Sequence, residues 1–422
     1  MDARSNHLGL VQDIGQPVMV DSTLDSAYLT VVAGFAFSFG AFQDYYTDKM
    51  PIAGSESSAT IGTTAIGTMY IASPFVIFLC RCTPRWTRWY CFLGLLGAAA
   101  TMLFGSFSTT VTQLVMTQGF LFGLSGCFAY CPYMVYIDEW FVRRRGMAYG
   151  IVWSAIGCAS AILPLAFENL LATHGFRITL RIWGGVLCLL SAPIALFIKP
   201  RVPYASTTSM PPVKLRCILS KRSVFYQVTN ILQATGYFLP GIYLPTYARG
   251  SFTVSPFFST LTLLLANISA TVGTITMGSL TDKFHPTTCN LISGLGTCIS
   301  CLAIWGVSSS LGGLYAFCVF YGLFAGSYTS IWSGIMRDVA REAESNGQGF
   351  VDQSLIFGWL CIGRGLANIA SGPLSGALLK GMPWKGRAPG GYGSGYGTLI
   401  VYTGVSGLLS GANVVWHSLG WV

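Results

Sequence analysis

The stretch "LTLLLANISATVGTITMGSLTDKFHPTTCNLISGLGTCISCLAIWGV", residues 261–307, decides the fold. Two apolar runs, 257–280 and 287–307, flank a short polar joint that holds Asp282, Lys283 and His285. A helix needs about 20 apolar residues to cross roughly 30 Å of hydrocarbon, and each run has them. Barrel strands would be about 10 residues long and would alternate in polarity, which these runs do not. The stretch reads as two membrane-spanning helices joined by a tight turn.

The rest of the chain repeats that pattern. Apolar runs near 26–46, 59–80, 89–109, 112–136, 147–171, 178–198, 224–248, 311–336, 353–378 and 396–417 bring the expected spans to twelve. Composition agrees, with 52% hydrophobic and 9% charged residues and a mean hydropathy of +0.58. Soluble domains carry about 25% charged residues, so a water-facing surface could not be built from this chain. The expectation is an all-α integral membrane protein of twelve transmembrane helices in two pseudo-symmetric six-helix bundles.

The net charge of +9 is explained by its placement. Arg4, Arg81, Arg85, Arg88, Arg143, Arg144, Arg145, Lys199, Arg201, Lys214, Arg216, Lys221, Arg222, Lys283, Arg337 and Arg341 fall on one side of the spans. Only Lys49, Arg177, Arg181, Arg249, Lys380, Lys385 and Arg387 fall on the other. This is the positive-inside pattern, with both termini expected in the cytosol, and it implies no nucleic-acid partner. The remaining basic residue, Arg364, lies inside a span.

Four aspartates and one arginine in residues 1–25, with no apolar core, predict a cytosolic tail and no cleavable signal peptide. A Pro-, Ser- and base-rich segment, 199–223, reads as a cytosolic linker between bundles 26–198 and 224–422. The two bundles resemble each other. "FGLSGCFAYCPYMVY" (122–136) corresponds to "YGLFAGSYTSIWSGI" (321–335), and Gly157 with Pro164 corresponds to Gly365 with Pro373. Parallel repeats of this kind place substrate at the midplane between halves.

The joint "GSLTDKF" (278–284) resembles the G-x-L-x-D-R/K-F/Y signature of the major facilitator superfamily. Gly278 would allow close helix approach, and Asp282 could pair with a base or cap a helix N-terminus. Arg337 and Arg341 are its candidate partners, and Lys283, Arg143, Arg144 and Arg145 complete the conformational set at that end. The matching loop of the first half, "SPFVIFLCRCTPRW" (73–86), keeps Arg81 but has Cys80 where the family has an aspartate. A weaker latch is expected there.

Three stretches narrow the resemblance to the fungal monocarboxylate-transporter-like branch: "GFAFSFGAFQDYY" (34–46), "EWFVRRRGMAYGIVWSAIG" (139–157) and "GRGLANIASGPLSGALL" (363–379). The resemblance implies a secondary transporter for carboxylates working by alternating access, not an enzyme. Animal members carry a paired Asp and Arg in the eighth span; this chain has neither, and Thr274 stands where fungal relatives often have an Arg. Proton symport by that route is not expected, and a coupling proton is left open.

Arg364 is the one charge deep in any expected span. Such a charge costs about 2.5–3.5 kcal/mol on insertion scales, and a guanidinium offers a carboxylate two parallel hydrogen bonds. It is the leading candidate for a substrate anchor, the alternative being a structural arginine bonded to helix carbonyls. Gln43, Tyr133, Gln233, Tyr237, Asn267 and Trp153 are candidate substrate-binding neighbours. Gly146, Gly150, Ser154 and Gly157 recur on one helix face and predict close interhelical packing. Thirteen cysteines include Cys298-x-x-Cys301, but without converging ligands no metal site is expected, and no cofactor.

The partners expected are the bilayer and a small molecule, possibly anionic, carried by a monomer in the plasma membrane or a vacuolar or other internal membrane. Two further readings stay open: an exporter of neutral or amphipathic metabolites, and a transport-inactive sensor on the same fold.

Overall fold

In the computed structural model the described residues are 34–35, 38–49, 55–140, 145–197, 218–347 and 351–419. Their regular elements are all helices, with no strand among the described residues. Among the described residues, nine helical segments are long and apolar enough to cross a membrane. Of the twelve expected spans, the fifth and sixth merge into one of these segments, and the seventh is a helix diluted by polar residues. Residues 26–33 and 36–37 of the first span lie outside the described residues.

In chain order the helices are α1 (Gly40–Lys49), α2 (Ser55–Cys82) and α3 (Thr87–Gly105). α4 begins at Val111–Leu114, passes a π-helical turn at Val115–Leu121 and continues through Phe122–Trp140. The run Arg145–Phe197 divides at Gly175 (φ 74°, ψ 170°) into α5 and α6. Only glycine takes that φ at no steric cost, so the chain turns back without a loop. α7 (Lys221–Phe252), α8 (Pro256–Thr281) and α9 (Pro286–Ile299, then a π-helical Ser300–Trp305) follow. α10 comprises Leu311–Ala325, a 3-10 turn Gly326–Ile331 and Trp332–Ser345; α11 is Gln353–Leu379, and α12 is Gly397–Ser410.

α10 outruns its expected end at 336 by nine residues. The apolar run stops there, but Val339, Ala340 and Ala343 stay buried while Arg341 and Glu344 face out, so an amphipathic continuation keeps the helix going.

Two helix pairs join residues far apart in sequence. α5 lies along α8, where a Cβ added at Gly146 would fall 2.4 Å from the Gly278 carbonyl oxygen. α2 lies along α11, where a Cβ at Gly365 would fall 2.8 Å from the Gly67 carbonyl oxygen. Lipid gives helices no hydrophobic reason to associate, so backbone proximity at small residues supplies the dispersion contacts instead. The small-residue face foreseen on the fifth span packs against α8 in this way: Gly150 meets Thr274, and Gly157 meets Thr271 and Asn267.

Candidate substrate cavity and its latches

Arg364 sits midway along α11 and is 2% exposed. Its Nη1 donates to Gln233 Oε1 on α7 at 2.9 Å, and Gln233 Nε2 donates in turn to the Ala325 carbonyl at 3.4 Å. Four rings surround the guanidinium carbon: Tyr237 at 5.1 Å, Phe238 at 5.6 Å, Trp332 at 5.9 Å and Tyr70 at 6.0 Å to centroid. Ring faces attract a desolvated cation by about 2 kcal/mol. Its Nε has no hydrogen-bond partner. Among the described residues no carboxylate forms an ion pair with it.

The arginine borders a cavity of about 430 Å³ of empty space, shared with Tyr70, Trp153, Tyr237, Asn267, Thr274 and Thr329. Tyr237, Asn267, Ala270 and Gly326 form the common wall between this cavity and a larger one of about 870 Å³, part of it open to solvent. The larger cavity runs between α1, α2, α7, α8, α10 and α11 and is mostly apolar, with Phe39, Ile66, Phe238, Leu263 and Tyr321 on its walls.

The candidate residues divide by what their side chains already do. Arg364, Gln43, Tyr237, Asn267 and Trp153 all line one cavity or both. Asn267 has its amide committed, donating to the Ser160 carbonyl of α5 at 2.8 Å. Trp153 stands edge-on to Trp332 at 6.3 Å with its indole N–H unpaired. Gln233 lines neither cavity and holds Arg364 instead. Tyr133 is buried in the core of the chain and also lines neither. Sequence reading missed Tyr70, Trp332 and Asn368. Asn368 lines the larger cavity one helical turn from Arg364, with both amide atoms unpaired.

At the Asp282 end the foreseen joint is present. Asp282 accepts from the backbone N–H groups of Gly146 and Met147, both at 3.0 Å, and pairs with Arg337 at 3.1 Å. One carboxylate thus caps α5, whose N-terminus carries the positive end of the helix dipole, and ties it to α8 and α10. Arg341 and Lys283 are exposed, and among the described residues it is Arg337 that forms the ion pair with Asp282. Arg143 and Arg144 lie outside the described residues, whereas Arg145 donates to Gln353 at 2.7 Å.

The loop with Cys80 in place of an acid is also tied. Arg81 pairs with Asp352, which caps α11 by accepting from Ser354 N–H at 3.0 Å. The facing helix supplies the carboxylate that the loop lacks. A second acid missed in the sequence, Asp338, gathers Arg222 at 3.2 Å, the Tyr226 hydroxyl at 2.9 Å and His285 at 3.5 Å. At the opposite end a lighter contact spans α5 and α8: Thr260 Oγ1 donates to Glu168 Oε2 at 2.6 Å.

Residues 18–367 match the family model of the Major Facilitator Superfamily. The chain belongs to the major facilitator superfamily. It is a multi-pass membrane transporter acting on a small molecule, not an enzyme. It is similar to MFS-type transporter pytF of Aspergillus terreus, 29% identical over 61% of this chain and 90% of that one. It also resembles the Agnestins efflux protein AgnL12 of Paecilomyces divaricatus, 26% identical over 82% and 77% of the two chains. Human monocarboxylate transporter 11 is 27% identical over 77% of this chain and 69% of its own length. These relatives fit the branch that "GFAFSFGAFQDYY" and "EWFVRRRGMAYGIVWSAIG" point to. In a facilitator, cavities between facing helices and latches at their ends are the parts that alternating access requires.

Proposed function

We propose that this transporter carries an acid-bearing small molecule, with Arg364 as the anchor for its anionic group. One observation supports this above the others: a guanidinium buried to 2% exposure, on a cavity wall, bonded to the neutral Gln233 amide, with an unpaired Nε and no carboxylate paired with it among the described residues. A carboxylate reaching it would make the charge-assisted bonds that Arg364 lacks. In this reading the halves 26–198 and 224–422 rock about the cavity. The Asp282 end faces the cytosol with both termini, and the Asp282 and Asp352 latches release in each cycle. The protein acts as a monomer in the plasma membrane.

The test is uptake of labelled monocarboxylates into reconstituted vesicles, with and without a pH gradient, comparing the natural chain with Arg364→Gln. Arg364→Gln is expected to lower acid uptake at least tenfold. Equal uptake by the two would refute the anchor, and dependence on the gradient would separate proton-coupled from uncoupled transport.

A second reading, export of neutral or amphipathic metabolites, is supported by the apolar walls of the larger cavity. The relative AgnL12 is named for efflux of agnestins. That reading expects transport to survive loss of Arg364.

A further inference from the structure

Asn368 raises a question that the arginine does not answer. Its side chain is 1% exposed, it lines the larger cavity, and neither Oδ1 nor Nδ2 has a hydrogen-bond partner. Leaving a buried amide unpaired costs several kcal/mol in surroundings that cannot hydrogen-bond, so a folded helix rarely keeps one without a use. Its polar neighbours have other duties. Asn267 bonds α5, Gln233 bonds Arg364, and Gln227 and Asn230 donate to the carbonyls of Trp359 and Leu360 on α11. Asn290 shares the unpaired state but borders neither cavity.

Position adds a second point. Asn368 follows Arg364 by four residues, so the two lie on one face of α11, about 6 Å apart along its axis. Arg364 faces the smaller cavity and Asn368 the larger, across the wall that the cavities share. The larger cavity, whose roughly 870 Å³ of empty space includes open solvent, is walled mainly by apolar and aromatic side chains.

We propose that Arg364 and Asn368 form a two-point site for an acid with a mainly apolar, ring-bearing body and a second polar group at least one helical turn from its carboxylate. The proposal rests on the reading of Arg364 as the anion anchor. The carboxylate would take the guanidinium, and a hydroxyl, carbonyl or amide of the cargo would take the Asn368 carboxamide, which can donate and accept at once. Tyr237 and Tyr321, stacked 6.4 Å apart with planes 16° from parallel, offer ring faces to the body between these points.

The experiment measures binding to the purified full chain in lipid nanodiscs. The probes are a matched pair, 3-(4-hydroxyphenyl)propanoate and 3-phenylpropanoate, which differ by one hydroxyl. The natural chain should bind the hydroxylated acid about tenfold more tightly, the worth of one hydrogen bond that completes a buried group. Asn368→Leu should erase that preference and leave 3-phenylpropanoate unchanged, while Arg364→Gln should weaken both acids alike. A preference that survives Asn368→Leu overturns the two-point site alone. Equal binding of both acids by the natural chain and Arg364→Gln, or no binding of either, overturns the anchor beneath it. Asn368→Leu should not lower the melting temperature of the cargo-free protein, because no bond is lost. A lowered melting temperature would show that the amide is bonded within the fold and would overturn the proposal. Should Asn368→Leu not fold, Asn368→Ser gives the same comparison of the two acids.

Discussion

The arginines at the Asp282 end and the arginine at mid-membrane are solved in opposite ways. Arg337 meets Asp282, Arg81 meets Asp352 and Arg222 meets Asp338. The arginines keep 23–35% of their surface in solvent and the aspartates 14–20%. Ion pairs so exposed are worth about 0–1 kcal/mol each and can part at modest cost. Arg364 has almost no solvent and no paired carboxylate among the described residues; neutral groups, the Gln233 amide oxygen and four rings, surround it. A carboxylate built in beside it would be hard to separate, since breaking a buried pair costs about 3–5 kcal/mol. Weak pairs suit a latch that must open, and an incompletely satisfied charge suits a seat that must be filled and emptied.

That contrast can be broken by moving an acid to the wrong place. Gln233→Glu puts a carboxylate where the Gln233 amide oxygen now lies, 2.9 Å from Arg364. It should reduce vesicle uptake of acids more than a hundredfold while raising the melting temperature, because the internal acid would occupy the anchor. Unchanged uptake would mean that Arg364 is only a structural cation.

The latches can be weakened one at a time. Asp282→Asn removes the charge facing Arg337 and one of two good acceptors for the α5 N-terminus, each such bond being worth about 1.5–3 kcal/mol. The population open at that end should rise about tenfold, read as a lengthened distance between spin labels at the exposed positions Arg85 and Lys283 on a cysteine-free background. Asp352→Asn keeps a side-chain oxygen to cap Ser354 and loses only the pair with Arg81, so its shift should be a few-fold at most. If the second change opens that end as far as the first, the cap on α5 adds nothing to the latch.

The spans were legible because a helix in lipid must be apolar for about 20 residues, a signal that survives without any knowledge of packing. Gly278 and Asp282 were legible because the joint is local: the aspartate and the turn that presents it lie within seven residues. Its partner on the other side was not. Cys80 suggested a missing latch, but the acid comes from Asp352, 271 positions after Arg81 in the chain, and no local pattern joins them. Arg364 stood out as a lone charge, whereas Asn368 did not, since a neutral amide in an apolar helix is usually bonded to a neighbouring helix. Its spacing of four from the arginine was the available signal. The place of Tyr133 was illegible for the reverse reason: which side of a helix faces a cavity depends on its neighbours, and α4 turns this ring into the core. Tyr70 and Trp332 reach Arg364 from α2 and α10, a meeting set only by packing.

The central claim is that Arg364 is left without an internal carboxylate so that cargo can provide one. Its most direct test compares the affinity of one acid, 3-phenylpropanoate, with that of its neutral amide, 3-phenylpropanamide, in the natural chain and in Arg364→Gln. The account predicts that the natural chain prefers the acid by tenfold or more and that the preference vanishes in Arg364→Gln. Equal affinity for acid and amide in the natural chain, or a preference untouched by the substitution, would contradict it.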